Sequence, residues 1–463
     1  MKIGYLKLNK THLAALKRLL RPGEVSFAPK ILDEYSKDKW FAAHRPEVVA
    51  FPRSTESVSR LLAFANQHQL PVTARGAGHG YVGGAVPVRG GVVLSLSGMN
   101  KIKEINAADF VAVVEPGVNT QMLADEVEKK NLFYPPDPAS RKDNAIGGNI
   151  STNAGGPRCL KYGVTRDYVL GLEVVLAGGA VVRLGGRTHK NKTGFDLHRL
   201  FVGAEGLLGV ITEATLKLLP LPPYRACLAI GFESMSAAVR SLNAILHAGF
   251  LPAALEIADA FTLAAAARRT GSKRLQGCHA HLIVELDGQV RSVRGEVLAI
   301  QNIVAAQKPL FVEVGLGAAK CEEIWQIRRE FSYALRDTGL TKLNEDIVVP
   351  RGRLEDLFVF TARLQKKHDL PVACFGHAGD GNIHTNVMVD FHQAGAKKRC
   401  QAALDELFTQ VLSWGGAITG EHGIGLAKQP WWTQAVSKEA RQLHEVIKKA
   451  LDPKGILNPG KFV

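Results

Sequence analysis

Apolar positions along the chain follow two rhythms, and each predicts a different element. Val48–Phe51 is a short apolar run of the kind a buried strand shows. After Ser54 the apolar residues Val58, Leu61, Leu62 and Ala65 recur at helical spacing. They predict a helix capped by Ser54 that runs to about Gln69 and is stopped by Pro71. Val72–Ala74 is the next strand, which completes a βαβ unit. Val92–Leu96 and Val111–Glu115 read as strands, and a helix follows from Asn119 to about Lys130. Glu173–Leu184 reads as a hairpin turning at Gly178-Gly179. Leu219-Pro220-Leu221-Pro222-Pro223 marks a boundary.

Beyond that boundary the pattern is α+β. Helices are expected near Met235–Ala248, Asp259–Arg268 and Ser292–Gln307, with a strand at Ala280–Leu286. Glu322–Leu335 is an amphipathic helix with Trp325, Ile327 and Phe331 inward, and Lys342–Pro350 begins a strand. Gln401–Trp414 and Ser437–Leu451 are further amphipathic helices, and Ala417–Thr419 reads as a short strand. The expected division is an N-terminal segment 1–44, a first domain 45–220, a second 221–415 and a closing segment 416–463.

Three glycine-rich stretches interrupt this pattern. The first is Arg75-Gly76-Ala77-Gly78-His79-Gly80-Tyr81-Val82-Gly83-Gly84, delivered by a strand. It matches a dinucleotide fingerprint formally, but no helix follows, so a phosphate-cradling loop between strands fits better. The second is Gly147-Gly148-Asn149-Ile150-Ser151-Thr152-Asn153-Ala154-Gly155-Gly156, read as a second backbone-rich cradle. The third is Val202–Ile211, with Glu205, Gly206 and Gly209. Three cradles on one scaffold imply a long ligand with a pyrophosphate at its centre.

Composition narrows the chemistry. A hydrophobic fraction of 46% and a charged fraction of 22% are those of a soluble globular protein. Met1–Leu20 lacks the apolar core of a signal peptide and no run reaches membrane-span length, so cytoplasm is the expected location. The six cysteines contain no C-x-x-C pair, which argues against an iron–sulfur or zinc-ribbon framework within this chain. Its formal charge of +15 is dispersed rather than clustered. A general basic surface, compatible with peripheral contact to anionic membrane, is expected rather than a nucleic-acid groove.

Phe375–Asn386, reading FGHAGDGNIHTN, carries the densest chemistry. His377 and His384 stand seven residues apart around Gly379 and Gly381, and with Gly376 there are three glycines in six residues, a composition that rules out a regular helix. Two imidazoles brought to one point suit a divalent transition metal that still needs an oxygen ligand. Gly420-Glu421-His422-Gly423-Ile424-Gly425 offers the other half.

The ordered set RGAGHG, PPDPAS, GGNISTNAGG, KYGVTRD and VGAEGLLGVIT resembles the FAD-binding domain of the vanillyl-alcohol-oxidase and p-cresol-methylhydroxylase superfamily. With GHAGDGNIH and GEHGIG added, the chain is similar to the branch of FAD-linked D-2-hydroxy acid dehydrogenases and oxidases. That branch includes the glycolate oxidase catalytic subunit, cytochrome-type D-lactate dehydrogenase and D-2-hydroxyglutarate dehydrogenase. The resemblance implies an FAD-binding domain of two α/β subdomains, an α+β cap, and a C-terminal helical segment returning to the flavin. The cofactor residues it points to are Arg75, Gly76, Ala77, Gly78, His79, Gly80, Gly83, Gly84, Pro136, Asp137, Ser140, Gly148, Asn149, Ser151, Asn153, Gly155, Gly156, Tyr162, Gly163, Glu205, Gly206, Gly209, Ile211 and Asn458.

By the same resemblance His377, His384 and Glu421 hold the metal, zinc first, with manganese and iron as alternatives. His422 is the base, unless it serves as a fourth ligand. Asn386 contacts substrate, and Arg328, supported by Lys342, meets the substrate carboxylate. The implied reaction oxidises a small D-2-hydroxy acid by hydride transfer to flavin. Electrons then leave to an iron–sulfur subunit, a cytochrome or a quinone, and a homodimer is compatible. His79 departs from the Thr that near relatives carry. In more distant members a His at that place is bonded to the flavin, so a covalent link and a simple hydrogen bond both stand. Two alternatives follow: a covalent-flavin oxidase of another hydroxy substrate, or an alkylglycerone-phosphate-synthase-like transferase.

Overall fold

The computed structural model describes Tyr5 and residues 7–463; Met1–Gly4 and Leu6, in the N-terminal segment, lie outside the described residues. Two compact units form. One comprises Met1–Gly155, Val164–Leu221 and Glu421–Val463, and the other Gly156–Gly163 and Pro222–Gly420.

The first unit holds a four-stranded sheet, a five-stranded sheet and a two-stranded pair among the described residues. Strands β1 (Val25–Ser26), β2 (Val48–Ala50), β3 (Val72–Arg75) and β4 (Val92–Ser95) lie in the order β1-β2-β4-β3. β2 and β3 both run parallel to β4. The helix between β2 and β3, Thr55–Gln67, is capped by the Ser54 side chain, which accepts from Ser57 N. Its Val58, Leu61, Leu62 and Ala65 are buried against Val48, Val72, Val92 and Leu94, so the helical spacing read from the sequence is the core face.

The second sheet contains β5 (Ile102–Asn106), β6 (Val111–Val114), β8 (Val169–Val175), β9 (Val181–Gly185) and β10 (Val210–Lys217) in the order β5-β6-β10-β8-β9, all antiparallel. β7 (Leu132–Phe133) pairs with β11 (Leu219–Pro220). The chain's last residues return to this unit. Val72 N donates to Ile456 O and Asn458 N to Val72 O, with Ile456 and Leu457 in the core.

The second unit is one antiparallel sheet of β12 (Tyr224–Phe232), β13 (Ala254–Asp259), β14 (Ala280–Gly288), β15 (Phe311–Leu316), β16 (Thr341–Val348), β17 (Val372–His377) and β18 (Asn382–Val389). Their order is β15-β12-β14-β13-β17-β18-β16. The helices Ala260–Thr270 and Ala318–Arg336 cover one face, packing Leu263, Phe331 and Leu335 on Ala373, Phe375 and Met388. Register places polar residues on that same face. Phe375 opposes His384, Ala373 opposes Asn386, and Lys342 opposes Met388. The segment Gly156–Gly163 is tied here by Lys161 Nζ to Asp287 Oδ1 at 2.5 Å, Tyr162 OH to Asp287 Oδ2 at 2.8 Å and Arg158 to Glu285 at 3.3 Å.

The Gly147-Gly148 run, read as a backbone-rich cradle, lies in the first turn of a helix, Ile146–Thr152. Gly147 is there because a Cβ would press on Pro116, so close approach rather than loop flexibility explains it. Ala417–Thr419 forms a single bridge, Ala417 to Val348, instead of a strand.

Candidate functional site

The first glycine loop leaves β3 and is braced from within. Arg75 Nη1 donates to Lys37 O at 2.6 Å, and its guanidinium lies 4.9 Å from the Tyr35 ring centre. Gly78, at φ +72°, leaves room for that guanidinium, which any Cβ would strike. Gly83 (φ +74°) accommodates Trp40 and Leu426 in the same way. Gly76 lies against Gly148 N, so the first two glycine stretches meet, while Gly148 has open space above it. Gly80 lies near Asp38 Oδ2 and Gly84 near Glu205 Oε2, and Ala77 is half-buried.

Several of the expected cofactor residues also hold the scaffold. Asn149 Nδ2 donates to Thr120 Oγ1 at 2.7 Å, Ser151 Oγ to Gly147 O, and Asn153 Oδ1 accepts from Arg166 N. Ser140 Oγ accepts weakly from Asn144, and Asp137, after Pro136, pairs with Arg141 at 3.3 Å. Gly209 packs against Val174 and Phe201, and Ile211 lies in β10. Gly206 has φ +72° and Gly163 φ +79°. Gly155 ends the first segment of the first unit, whereas Gly156, whose N–H meets Cys159 Sγ, Tyr162 and Gly163 belong to the second.

Glu205 is the keystone of this region. Its carboxylate accepts Ile424 N at 2.7 Å and Gly425 N at 2.9 Å, while Asn458 Nδ2 reaches its backbone O at 2.8 Å and Gly84 O at 3.0 Å. Burial pushes the Glu205 carboxyl up to about 7, despite those two donors and Lys461. The folded chain therefore holds this proton more tightly than the unfolded chain, whose ordinary value is 4.5. Its stabilising contribution is complete below that value and is lost as pH rises through about 7. Glu205→Gln is expected to flatten the fall of Tm over this window; an unchanged slope would assign the titration to another group.

A flavin fits these residues. Open space over Gly148 is matched by enclosed polar atoms that meet no hydrogen-bond partner: His79 Nδ1, Tyr134 OH and Asn458 Oδ1. Burial, with Lys39 adding to it, lowers the His79 pKa, which favours the neutral ring.

In the second unit the β17–β18 hairpin carries both expected metal histidines. His377 ends β17 and His384 lies within β18, their ring centres 5.5 Å apart and nearly perpendicular. The unit division falls on the peptide bond from Gly420 to Glu421, so Glu421 is tied covalently to this sheet. Each of His377, His384 and Glu421 offers a ligand atom, all within 4.8 Å of one another, and two imidazoles with one carboxylate are a donor set suited to a divalent transition metal. Asp346, missed in the sequence, sets this loop. Its buried carboxylate accepts from Asn382 Nδ2 at 2.8 Å, Thr419 Oγ1 at 2.9 Å and Gly420 N at 3.0 Å.

Glu256 on β13 was also missed, because a lone carboxylate in an apolar strand carries no spacing signal. Its Oε1 lies 2.5 Å from His377 Nδ1 and its Oε2 2.6 Å from Arg328 Nε. Burial opposes ionisation, but His377 and Arg328 hold the carboxyl down to about 2. Arg328 is largely buried and lies 4.7 Å from the Phe375 ring centre, so it is not the solvated arginine its helix position allowed. Lys342 Nζ donates to Ser332 Oγ at 2.6 Å, and burial lowers its pKa to about 8. Asn386 is fully enclosed and donates to Ala373 O and His384 O. His422 stands 5.4 Å from the Tyr81 ring in the first unit.

Comparison with known proteins completes the description. The family model for the C-terminal domain of FAD linked oxidases matches residues 221–462, and one for an FAD binding domain matches 46–185. The chain is 39% identical over 417 residues to the glycolate oxidase subunit GlcD of Bacillus subtilis, covering 90% of this chain and 89% of that one. It is 35% identical to a D-lactate dehydrogenase of Anaerostipes hadrus, covering 96% and 95%. To a D-2-hydroxyglutarate dehydrogenase of Stutzerimonas stutzeri it is 32% identical, covering 96% and 97%. Among solved structures, p-cresol methylhydroxylase superposes with a TM-score of 0.80 at 21% identity, covering 97% and 96%, which establishes the p-cresol-methylhydroxylase type of fold. On these matches the chain belongs to the FAD-linked oxidase family and is an FAD-binding enzyme of that family.

Proposed function

We propose that this enzyme oxidises a D-2-hydroxy acid of the glycolate and D-lactate class to the 2-oxo acid, with metal assistance and a non-nicotinamide electron acceptor. The observation that carries this reading is the convergence of His377, His384 and Glu421 to within 4.8 Å. A divalent ion there would acidify the substrate hydroxyl, and bound FAD would accept the hydride. His422 takes the hydroxyl proton at a ring nitrogen. Arg328 pairs with the carboxylate through its terminal nitrogens, since Nε is already given to Glu256, and Lys342 adds a second cation. Asn386 holds the β18 backbone beside His384.

The relatives' names point to this substrate class, and glycolate oxidase being a subunit supports a partner protein as the electron acceptor. The acceptors that fit this reading are an iron–sulfur subunit, a cytochrome or a quinone. Among the described residues, no helix is long and apolar enough to cross a membrane. The test is turnover of glycolate, D-lactate, D-2-hydroxyglutarate and longer D-acids with a dye acceptor. Metal analysis of the same sample identifies the ion, with zinc expected. Failure to reduce the flavin with any of these acids removes the reading.

At His79, whose enclosed Nδ1 meets no hydrogen-bond partner, the two readings are a covalent link to FAD and a simple hydrogen bond to it. Acid precipitation separates them: a covalent link leaves the wild-type pellet yellow and fluorescent and the His79→Thr pellet colourless. A colourless wild-type pellet limits His79 to a hydrogen bond.

A further inference from the structure

One carboxylate in the second unit serves two partners that the proposed chemistry needs at a fixed separation. Glu256 is 1% exposed, on a strand paired with β17 at Ile257–Gly376 and Ala258–Phe375. That register points its side chain to the face bearing Phe375 and His377. Oε1 meets His377 Nδ1 at 2.5 Å and Oε2 meets Arg328 Nε at 2.6 Å. Each of the two partners therefore takes a different oxygen of one planar carboxylate.

We propose that Glu256 is a positioning residue that holds the metal-ligating ring of His377 and the guanidinium of Arg328 in register. This rests on the metal-assisted reading above. A proton on Nδ1, donated to Glu256, leaves Nε2 as the ligand atom and fixes the ring's rotation. The same carboxylate engages Nε of Arg328, which orients the two terminal nitrogens as a fork for another carboxylate. Phe375, stacked 4.7 Å from the guanidinium carbon, closes off the third direction of movement. In a 2-hydroxy acid the hydroxyl and the carboxylate stand on adjacent carbons. A ligand ring and a fork set by one side chain select that spacing, whereas separately held groups would tolerate a hydroxyl one carbon further from the carboxylate.

Glu285 provides the comparison. It is another fully buried carboxylate of this sheet, but its partners include Arg158 at 3.3 Å, Arg225 at 3.9 Å and Trp325 Nε1 at 2.5 Å, none belonging to the ligand set. A purely structural role for Glu256 would give the two sites the same phenotype.

The experiment uses the FAD-loaded protein and Glu256→Gln, Glu256→Asp and Glu285→Gln. Cobalt(II) is the probe, because its visible absorption reports the ligand geometry independently of turnover. Expected for Glu256→Gln is a 10- to 100-fold weaker cobalt affinity, on the order found when outer partners of metal-bound histidines are lost. Its visible band should be altered, and KM should remain raised at saturating metal, where kcat is largely recovered. Glu256→Asp, which keeps the charge but shortens the reach, should show the same signs in weaker form. Glu285→Gln should bind cobalt like wild type, whatever it does to Tm. Wild-type cobalt affinity and KM in both Glu256 variants would overturn the proposal while leaving the metal-assisted reading intact. A wild-type protein that binds no divalent ion would instead remove the reading on which it rests. If Glu256→Gln fails to fold, Glu256→Asp decides, and an unaltered band and KM there overturn the proposal.

Discussion

His384→Ala and Glu421→Ala should each lose the metal and about three orders of magnitude or more in turnover, while the FAD stays bound. A bound ion supplies several kcal/mol of charge stabilisation, and each 1.4 kcal/mol is a factor of ten in rate. Two ligands of a three-ligand set cannot hold the ion against solvent in the same geometry. For His384→Ala the flavin should remain because the glycine loops and Glu205, the proposed cradle, belong to the first unit, whereas His384 lies in the sheet of the second. Glu421 begins the last segment of the first unit, but Glu205 is held there by the backbone N–H groups of Ile424 and Gly425, which the Ala substitution keeps. Metal analysis and the flavin spectrum of the purified variants check both halves. Full metal occupancy in both would remove these residues from the ligand set.

Arg328→Lys should raise KM and lower kcat, for a combined loss of about 10- to 100-fold in kcat/KM, the size expected when a charge-assisted hydrogen bond is lost. Lysine keeps the charge beside Glu256, so the buried carboxylate is not stranded. It cannot, however, give one donor to Glu256 Oε2 and present a planar pair to substrate at the same time. The stack on Phe375 is lost too. Steady-state kinetics with each candidate acid test this, and unchanged constants for all of them would place the carboxylate site elsewhere.

Much of the architecture was legible because the signals are local. Ser54, Asn119, Asp259 and Ser437 were helix boundaries in the sequence, and each side chain accepts a backbone N–H in the structure. The Gly178-Gly179 turn joins β8 to β9 as the alternation predicted. His377 and His384 were marked by glycines that forbid a helix, and the hairpin between β17 and β18 follows from them. Gly147 shows the limit of the same reasoning. Its glycine reads as a loop former, yet it opens a helix because Pro116 occupies the place of a side chain.

By itself, then, the amino-acid order determined the caps, the turns, the glycine loops and the histidine hairpin, since each depends on residues a few positions apart. Which helix face lies over the seven-stranded sheet, and therefore that Arg328 is buried rather than solvated, was decided only by packing. The tertiary structure alone also joined Glu256 to His377 across 121 positions and Asp346 to Gly420 across 74. A buried carboxylate in an apolar strand has no sequence partner to announce it, because the desolvation it suffers is offset by groups that only the strand order brings near.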